Sequence, residues 1–327
     1  MLIHFPKARF WVVPADLLGY ASWRARTAES VRDVARSFWT PRFHKRYHEQ
    51  LEQMLVKAAE LGVTPGCLRF PSDGTRLQVF DFARGVVCKM QAPWARENRI
   101  AHELEIRGRV GDLAPAVVRV AEGKDAFVEA WAPHSRSLQS RVSLDRIASH
   151  LARVLYGNEQ AQSRNVVDSL RSARGSWNGL PCEIAAALIA NLPDEVPVSQ
   201  IHGDLSPRNM NVRRGGTLQL LDWEYTRSAV RTYDVWHYLY EARRNAGSLG
   251  QFTAEFTLTF AACLGALGCL DLQRYAHGLH VLHLVERLSF LCRVVDEERV
   301  TVLANILRAD IADGAKLLTN ALPGAAA

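Results

Sequence analysis

The stretch IHGDLSPRNMNV, residues 201–212, holds the side chains best suited to chemistry. It places Asp204 and Asn209 around a Pro, between apolar runs, in a pattern typical of a loop. Asp222 follows a second, strand-like apolar run, LQLL. Two carboxylates and a carboxamide brought together at strand ends make a site for a hard cation. Mg²⁺ prefers oxygen ligands and often takes only one or two of them from protein.

A lysine that could neutralise phosphate lies upstream, near the end of the short β-branched run VVCKM. This residue, Lys89, completes the set that phosphoryl transfer requires: a lysine on the phosphates, an Asp and an Asn on metal, and an Asp facing the acceptor hydroxyl. Each residue alone has an ordinary interpretation, such as a turn Asp, a helix cap or a surface lysine. Their combination and order favour the catalytic interpretation.

The motif pair HGDLSPRN and LLDWE resembles the signature of the aminoglycoside phosphotransferase and choline kinase-like family, relatives of the protein kinases. That family has H-G-D-x-x-x-x-N as its catalytic loop and D-W-E or D-x-D as its metal motif. The resemblance covers roughly residues 65–320. It implies an α+β, bilobal protein kinase-like fold, with a small antiparallel-sheet N-lobe and a larger, mostly helical C-lobe. It also implies ATP and Mg²⁺ as cofactors and a hydroxyl group as phosphate acceptor.

The resemblance assigns roles to the four residues of the set. Asp204 would orient and deprotonate the acceptor hydroxyl, while Asn209 and Asp222 would ligate the Mg²⁺ that bridges the nucleotide phosphates. Lys89 resembles the strand lysine that pairs with those phosphates.

Three further positions follow from the same resemblance. The helix partner of Lys89 is best matched by Glu103, although Glu97 and Glu105 stay open because helix propensity cannot rank them. His202 would brace the catalytic loop by hydrogen bonds, and Asp234, in TYDVW, would anchor that loop from the following helix.

Two segments would contact the nucleotide. The run FVEAW resembles the hinge between lobes, so that backbone groups of Glu129 to Trp131 would bond to adenine. The turn PSDGT has a single glycine instead of a Gly-rich loop, and Ser72 and Gly74 would cover the phosphates there. A plain hairpin turn explains PSDGT equally well.

The elements that must position these residues fall into three parts. Residues 1–64 are predicted to be a helical N-terminal extension, with a helix that Thr40 caps and Gly62 ends. Residues 65–131 form the predicted N-lobe, in which two successive hairpins precede a helix and a third hairpin follows it. Residues 132–327 form the predicted helical C-lobe that carries the catalytic and metal loops.

Composition limits the possible partners and the expected location of the protein. The net charge is +6, which suits an anionic partner such as a nucleotide, but the positive charge is dispersed and no nucleic-acid motif is present. The six cysteines form no CxxC pair, which is typical of reduced thiols. The first residues lack signal-peptide features, and the longest uncharged run, 256–270, is too short for a membrane span. We therefore expect a cytoplasmic protein, with contact between the basic, aromatic segment 37–47 and an anionic membrane as an open possibility.

The acceptor is the part least determined by sequence. Aromatic and acidic residues behind the metal motif would suit an amine or a sugar ring, although VWHYLYEA has helical spacing and several of its rings must be core. The neighbourhood is basic, which favours a neutral or anionic hydroxyl compound, a sugar or saccharide-linked metabolite, over an aminoglycoside. Two alternatives remain: a kinase of a membrane-associated glycolipid or saccharide, and a nucleotide-binding pseudokinase that serves as a scaffold.

Overall fold

The computed structural model describes fourteen stretches of the chain. They are residues 2–5, 10–12, 53, 55–64, 67–69, 76–81, 83–91, 97–131, 144–156, 162–176, 181–212, 218–246, 254–294 and 297–320. The chain divides into two compact units, Met1–Gly108 with Ala114–Pro133 and Arg109–Leu113 with His134–Ala327. The predicted N-lobe, residues 65–131, lies mostly in the first unit, which also includes the predicted extension.

The first unit is built on one sheet, whose strands follow the order β2-β1-β3-β4-β5-β7-β6. The strands are β1 (Leu2–Phe5), β2 (Phe10–Val12), β3 (Cys67–Arg69), β4 (Arg76–Asp81), β5 (Val86–Gln91), β6 (Val117–Val120) and β7 (Ala126–Ala130). Neighbouring strands are antiparallel, except for the parallel pair β1 and β3. Strands β3 to β7 correspond to the strands that the sequence predicts.

The start of the chain departs from the predicted helical extension. Residues 2–5 and 10–12 are strands that pair with each other, and β1 adds to the edge of the sheet beside β3. Runs of three or four residues are too short for their periodicity to distinguish strand from helix, and for this reason the sequence did not predict these two strands. Thr40 and the membrane-contact segment 37–47 lie outside the described residues.

The helix that precedes β3 ends as the sequence predicts, at Gly62. Helix α1 is described over residues 55–60. Its end is closed by two backbone hydrogen bonds, from Gly62 N–H to the Ala59 carbonyl and from Val63 N–H to the Ala58 carbonyl. Val63 and Ala58 are both buried in the same apolar cluster, as is usual for this type of helix end.

The central strands of the sheet bury two different faces, because successive side chains of a strand point to opposite sides. One face is apolar and packs against α1: Leu77, Val79, Cys88, Met90, Ala126 and Val128. The other face carries the buried polar side chains Arg76, Gln78, Lys89 and Glu129. Helix α2 (Arg99–Val110) adds the buried Glu103 and Arg107 to these polar side chains.

The second unit is mainly helical. Its helices are α3 (Leu144–Leu151), α4 (Val166–Ser176), α5 (Cys182–Ala190), α6 (Tyr233–Ala246), α7 (Ala254–Leu267), α8 (Ala276–Val294) and α9 (Glu297–Asn320). Helix α3 shows why they form: Leu144, Ile147, Ala148 and Leu151 recur at helical spacing and are buried. No helix within the described ranges is long and apolar enough to cross a membrane.

Two small sheets in this unit hold the predicted catalytic loop. Strand β9 (Glu195–Ile201) lies between β8 (Gln162–Asn165) and β12 (Arg227–Val230), and it ends where the loop begins. After the loop, β10 (Met210–Val212) pairs with β11 (Leu218–Leu220), which leads to Asp222. The sequence analysis did not identify β8 or β12.

The first turn of the loop depends on Gly203. Its φ angle is +84°, in the left-handed region that side chains disfavour, and a Cβ atom there would collide with the Tyr225 carbonyl oxygen. The loop therefore passes against the backbone of the metal motif at a point where only glycine fits.

We expect Gly203→Ala to lower the free energy of unfolding by more than about 3 kcal/mol, since backbone strain and a backbone clash act together. Gly85→Ala is the matched control, because Gly85 also has a positive φ but a Cβ added to it would meet no atom within 4 Å. That control should cost only about 1–2 kcal/mol. Urea unfolding of both variants measures the difference, and equal losses would contradict the close approach at Gly203.

Candidate active site

The predicted catalytic loop is fixed by the carboxylate of Asp234, in the first turn of α6. Its two oxygens accept hydrogen bonds from consecutive backbone groups, Oδ2 from His202 N–H at 2.7 Å and Oδ1 from Gly203 N–H at 2.9 Å. Asp234 is fully buried, and this burial raises its pKa to about 6 although the two backbone hydrogen bonds act in the opposite direction. A buried carboxylate thus ties the loop to the helix.

His202 connects the loop to the end of β11. Its Nε2 lies 2.9 Å from the Leu221 carbonyl oxygen, which can only accept, so Nε2 carries the proton. The other ring nitrogen, Nδ1, then accepts from Asp204 N–H at 3.3 Å. The ring packs against the buried Trp223, with centroids 4.5 Å apart. His202 therefore contributes as a brace.

Asp204 lies at the centre of the loop with its side chain 33% exposed. Asn209 Nδ2 donates to Asp204 Oδ2 at 2.7 Å and to the Asp204 carbonyl at 2.9 Å. The other carboxylate oxygen, Oδ1, lies 3.1 Å from His237 Nε2. Desolvation raises the pKa of Asp204, while the nearby charge of Arg287 lowers it. Two neighbours on opposite oxygens thus fix the orientation of this carboxylate.

Asn209 and Asp222 are brought together by the β10–β11 hairpin. Leu221 N–H donates to the Asn209 carbonyl at 2.8 Å, which places the next residue, Asp222, beside the loop. Asp222 has a left-handed backbone, φ 63° and ψ 65°, which is unusual for a residue with a side chain and is typical of functional turns.

The chemistry of these two residues fits Mg²⁺. Since the amide nitrogen of Asn209 is used by Asp204, its oxygen is the atom left for a metal, and Asp222 supplies carboxylate oxygens. No group of three His, Cys, Asp or Glu side chains suited to a metal ion occurs within the described ranges. Asn209 and Asp222 would thus offer a carboxamide oxygen and carboxylate oxygens to a bound Mg²⁺.

Lys89 lies in the first unit, within a buried network of charges. Its Nζ is 2.9 Å from Glu103 Oε1 and 3.2 Å from Glu129 Oε1. Arg107 contacts the same two carboxylates, at 2.8 Å for Glu103 and through a short ion pair with Glu129. Arg76 adds a weaker contact to Glu103, at 3.9 Å. Among the residues that the structure describes, Lys89, Arg107 and Arg76 thus contact the carboxylates of Glu103 and Glu129.

The structure distinguishes the three glutamates that the sequence left open. Glu103 is fully buried and contacts Lys89. Glu97 has a 58% exposed side chain that pairs with Arg99 at 2.6 Å. Glu105 is exposed on the other side of the helix. Glu103 is therefore the partner of Lys89.

The segment predicted to contact adenine lies at the end of β7. Glu129 is paired inside the sheet, opposite Val87 on one side and Val117 on the other. Its side chain faces Lys89 and Arg107. The Trp131 N–H donates to the Gly85 carbonyl at 2.8 Å. The Trp131 N–H is thus engaged within the first unit, and adenine contact by other backbone groups of Glu129 to Trp131 stays a prediction. Ser72 and Gly74 lie outside the described residues.

Sequence reasoning missed three residues of these clusters, Arg107, the Glu129 side chain and Arg287, and placed His237 only among the aromatic residues behind the metal motif. Strand alternation signalled Glu129, which shares a face with Phe127 while the apolar Val128 faces the core. Helical spacing signalled Arg107, which lies four residues after Glu103. No sequence pattern linked His237 or Arg287 to Asp204, because they are brought there by separate helices.

Part of the aromatic wall proposed from sequence is core. Trp223 and Trp236 are fully buried. Trp223 packs on His202, and Trp236 packs on Phe260 with ring centroids 4.2 Å apart. Tyr240 is also buried, and its hydroxyl donates to Asp310 at 2.7 Å. These rings stabilise the second unit and do not form an open binding wall.

Comparison with known proteins agrees with this arrangement. A model of the phosphotransferase enzyme family (APH) matches residues 45–262. The crystal structure of the choline kinase LicA from Streptococcus pneumoniae is similar, with a TM-score of 0.54 and 14% identity over 81% of this chain and 98% of that chain. The GDP and kanamycin complex of APH(2″)-IIIa gives a TM-score of 0.51 and 15% identity, covering 82% and 99%. No curated protein sequence matches the chain.

A third structure, the GDP complex of wild-type aminoglycoside 2′-phosphotransferase-IIIa, gives a TM-score of 0.52 and 13% identity, covering 82% of this chain and 99% of that chain. At such low identity the likeness shows the fold alone. That fold is α+β and protein kinase-like, as the sequence predicts.

We expect Glu103→Ala to lower the free energy of unfolding by about 3–5 kcal/mol, because it leaves the buried Lys89 and Arg107 to share one carboxylate. Glu105→Ala, on the same helix, is the matched control and should change it by less than about 0.5 kcal/mol. Chemical denaturation measures both. An equally small loss of unfolding free energy in both variants would contradict a stabilising role of Glu103 in the network.

Asp234 gives a prediction for pH. Its native pKa is about 6 against an ordinary value of 3.8, so between these pH values the native state holds a proton that the unfolded state has released. The stability that this group contributes is therefore lost as pH rises from about 4 to about 6, by roughly 3 kcal/mol.

Asp234→Asn has no such titration and provides the reference. Urea unfolding of both proteins from pH 4 to 8 should show the wild type losing stability relative to the variant up to about pH 6 and no further change above pH 7. A constant difference across the whole range would rule out a raised pKa at this carboxyl.

Proposed function

We propose that this chain, which belongs to the phosphotransferase enzyme family, transfers the γ-phosphate of ATP to a hydroxyl group of a small molecule with the help of Mg²⁺. The observation that carries the proposal is the geometry of the loop. One partly exposed carboxylate, Asp204, is oriented by Asn209, and the same Asn is tied by its backbone to the residue before Asp222. This arrangement provides an acceptor-facing base beside a pair of metal ligands.

Each residue has a defined task in this reaction. Asp204 binds the acceptor hydroxyl and takes its proton as the hydroxyl oxygen bonds to the γ-phosphorus and the bond from that phosphorus to the bridging oxygen of ADP breaks. Asn209 and Asp222 hold Mg²⁺, which neutralises charge on the phosphates when bound. Lys89, held by Glu103, binds phosphate oxygens.

We further propose a sugar or saccharide-linked metabolite as acceptor. The support comes from Arg287, a buried guanidinium whose charge acts directly on Asp204. Arg287 also pairs with Glu241 at 3.0 Å, which balances part of its charge. A second positive charge close to the reacting hydroxyl would be repelled by Arg287. Neutral or anionic hydroxyl compounds meet no such repulsion, in contrast to cations such as choline and kanamycin, which are named for two structural relatives.

A membrane-associated glycolipid or saccharide is the second candidate acceptor. It rests on the basic, aromatic composition of residues 37–47. The scaffold alternative is disfavoured, since a protein without catalysis has no need for Lys89, Asp204, Asn209 and Asp222 together.

We expect the purified protein to transfer label from ATP, labelled on its γ-phosphate, to one pool of a fractionated cell extract. Soluble and lipid-linked pools are assayed separately, and Asp204→Asn should reduce the transfer by at least about 100-fold because it removes the proton acceptor. Label in the soluble pool supports a small saccharide, and label in the lipid pool supports the glycolipid.

A phosphoramidate or phosphoserine product would contradict the acceptor class. Acid lability of the labelled product identifies the former, and analysis of the purified product for a phosphorylated sugar excludes the latter. Equal transfer by the wild type and Asp204→Asn would overturn the role of Asp204. Mg²⁺-dependent ATP binding without any transfer by the wild type would favour the scaffold.

A further inference from the structure

Two buried histidines extend inward from Asp204, and the reaction described above does not use them. His237 lies on α6 and His283 on α8. His237 Nε2 is 3.1 Å from Asp204 Oδ1, and His237 Nδ1 is 3.3 Å from His283 Nε2. His237 is 1% exposed and His283 2% exposed, so the catalytic carboxylate is connected by consecutive contacts to the interior of the helical unit.

Both imidazoles are held neutral. Desolvation lowers the pKa of His237 and of His283 well below the ordinary value, and the positive charge of Arg287 acts in the same direction on each. Arg287 Nη1 lies 2.7 Å from Nδ1 and 3.2 Å from Nε2 of His237. Nδ1 is the nearer nitrogen, and because a guanidinium can only donate, Arg287 donates to the lone pair of Nδ1. Protonation of His237 would thus place two positive charges in contact.

The contacts also determine which nitrogen carries the proton. A neutral imidazole has one N–H and one lone pair. Since Asp204 is a carboxylate that can only accept, His237 must donate to it from Nε2, and its Nδ1 is then an acceptor. His283 Nε2 faces that Nδ1 and must be the donor. The remaining atom, His283 Nδ1, is buried without a hydrogen-bond partner among the described residues, as suits a lone pair better than an N–H group.

We propose that His237, held in its Nε2–H form by Arg287 and His283, is a positioning residue that fixes the carboxylate of Asp204 for the acceptor hydroxyl. This inference rests on the proposed function, because it gives Asp204 the role of base. His237 occupies one lone pair of Oδ1, and Asn209 occupies one of Oδ2. Rotation of the carboxylate is then blocked from both sides, and the other lone pairs keep a fixed direction.

The neutral state of the pair matters for the chemistry. An imidazolium beside Asp204 would stabilise its ionised form and make it a weaker base. A neutral donor orients the carboxylate as well, but it lowers the basicity of that carboxylate less than a charged donor would. The two histidine donors belong to packed helices, α6 and α8. The buried Tyr233, also on α6, stacks against the His237 ring with an interplanar angle of 12°. The base is thus positioned by the rigid part of the unit as well as by its own loop.

Two variants of His237 test the role. His237→Phe keeps a ring but removes the donor, and we expect kcat to fall about 10- to 100-fold with little change in the KM for ATP. His237→Gln places an amide N–H near the position of Nε2 and should recover most of the loss. His280→Phe is the control: His280 lies one turn from His283 on α8 and packs against Trp236, and kcat should stay within about twofold.

A spectroscopic readout tests the same chain without any activity. Nitrogen-15 correlation spectra of the histidine rings of the full chain at pH 7 should show hydrogen on Nε2 and a lone pair on Nδ1 for both His237 and His283. The two variants of His237 and a His283→Phe variant assign the signals. Hydrogen on Nδ1 of His237, or on both of its nitrogens, would overturn the proposal.

The kinetic outcomes separate the inference from the reaction on which it rests. Loss in His237→Phe with recovery in His237→Gln supports positioning by a hydrogen bond. Equal loss in both variants, or no loss in either, overturns it. A wild type that transfers no phosphate contradicts the proposed reaction and with it the role in catalysis, while the spectrum still decides the direction of the hydrogen bonds.

Discussion

The carboxylate of Asp234 accepts hydrogen bonds from two consecutive backbone N–H groups, and the candidate site depends on this contact. Those N–H groups belong to the sharp turn between β9 and the loop, where the chain leaves the sheet and has no strand partner. Without an acceptor they would be buried and unsatisfied, a loss of about 1–3 kcal/mol each. A carboxylate buried for this purpose is itself strained electrostatically, as its raised pKa shows. Positional order in the loop is thus obtained at a cost in stability.

The same pattern recurs around the two other functional groups. Asp204 is held by Asn209 on one oxygen and faces His237 on the other, while Lys89 is held between Glu103 and Glu129. In each case a charged side chain is fixed by partners on different elements, so that it does not depend on one flexible loop. Buried ion pairs of this kind add little net stability, and their value lies in fixing orientation. Phosphoryl transfer gains mostly from positioning and electrostatics, which is what such networks provide.

Much of this arrangement is readable from sequence, because local patterns decide it. Strands β3 to β7 follow from short apolar runs separated by turns, and the loop follows from the spacing of Asp204, Asn209 and Asp222. The features that the sequence does not predict depend on contacts between residues that are far apart in the chain. Strands β1 and β2 are recognised only once β3 lies beside them. The link from Asp204 to His237 joins residues 33 positions apart, and the next link, to His283, spans 46 more.

The central claim is a division of labour, in which Asp222 and Asn209 hold the metal and nucleotide while Asp204 serves only the acceptor. Calorimetric titration of ATP, with and without Mg²⁺, into the wild type, Asp222→Ala and Asp204→Asn tests it most directly and needs no knowledge of the acceptor. The account predicts that Asp204→Asn binds ATP with Mg²⁺ within about threefold of the wild-type affinity, and that Asp222→Ala loses the strengthening by Mg²⁺. Retention of that strengthening in Asp222→Ala, or its loss in Asp204→Asn, would contradict the account.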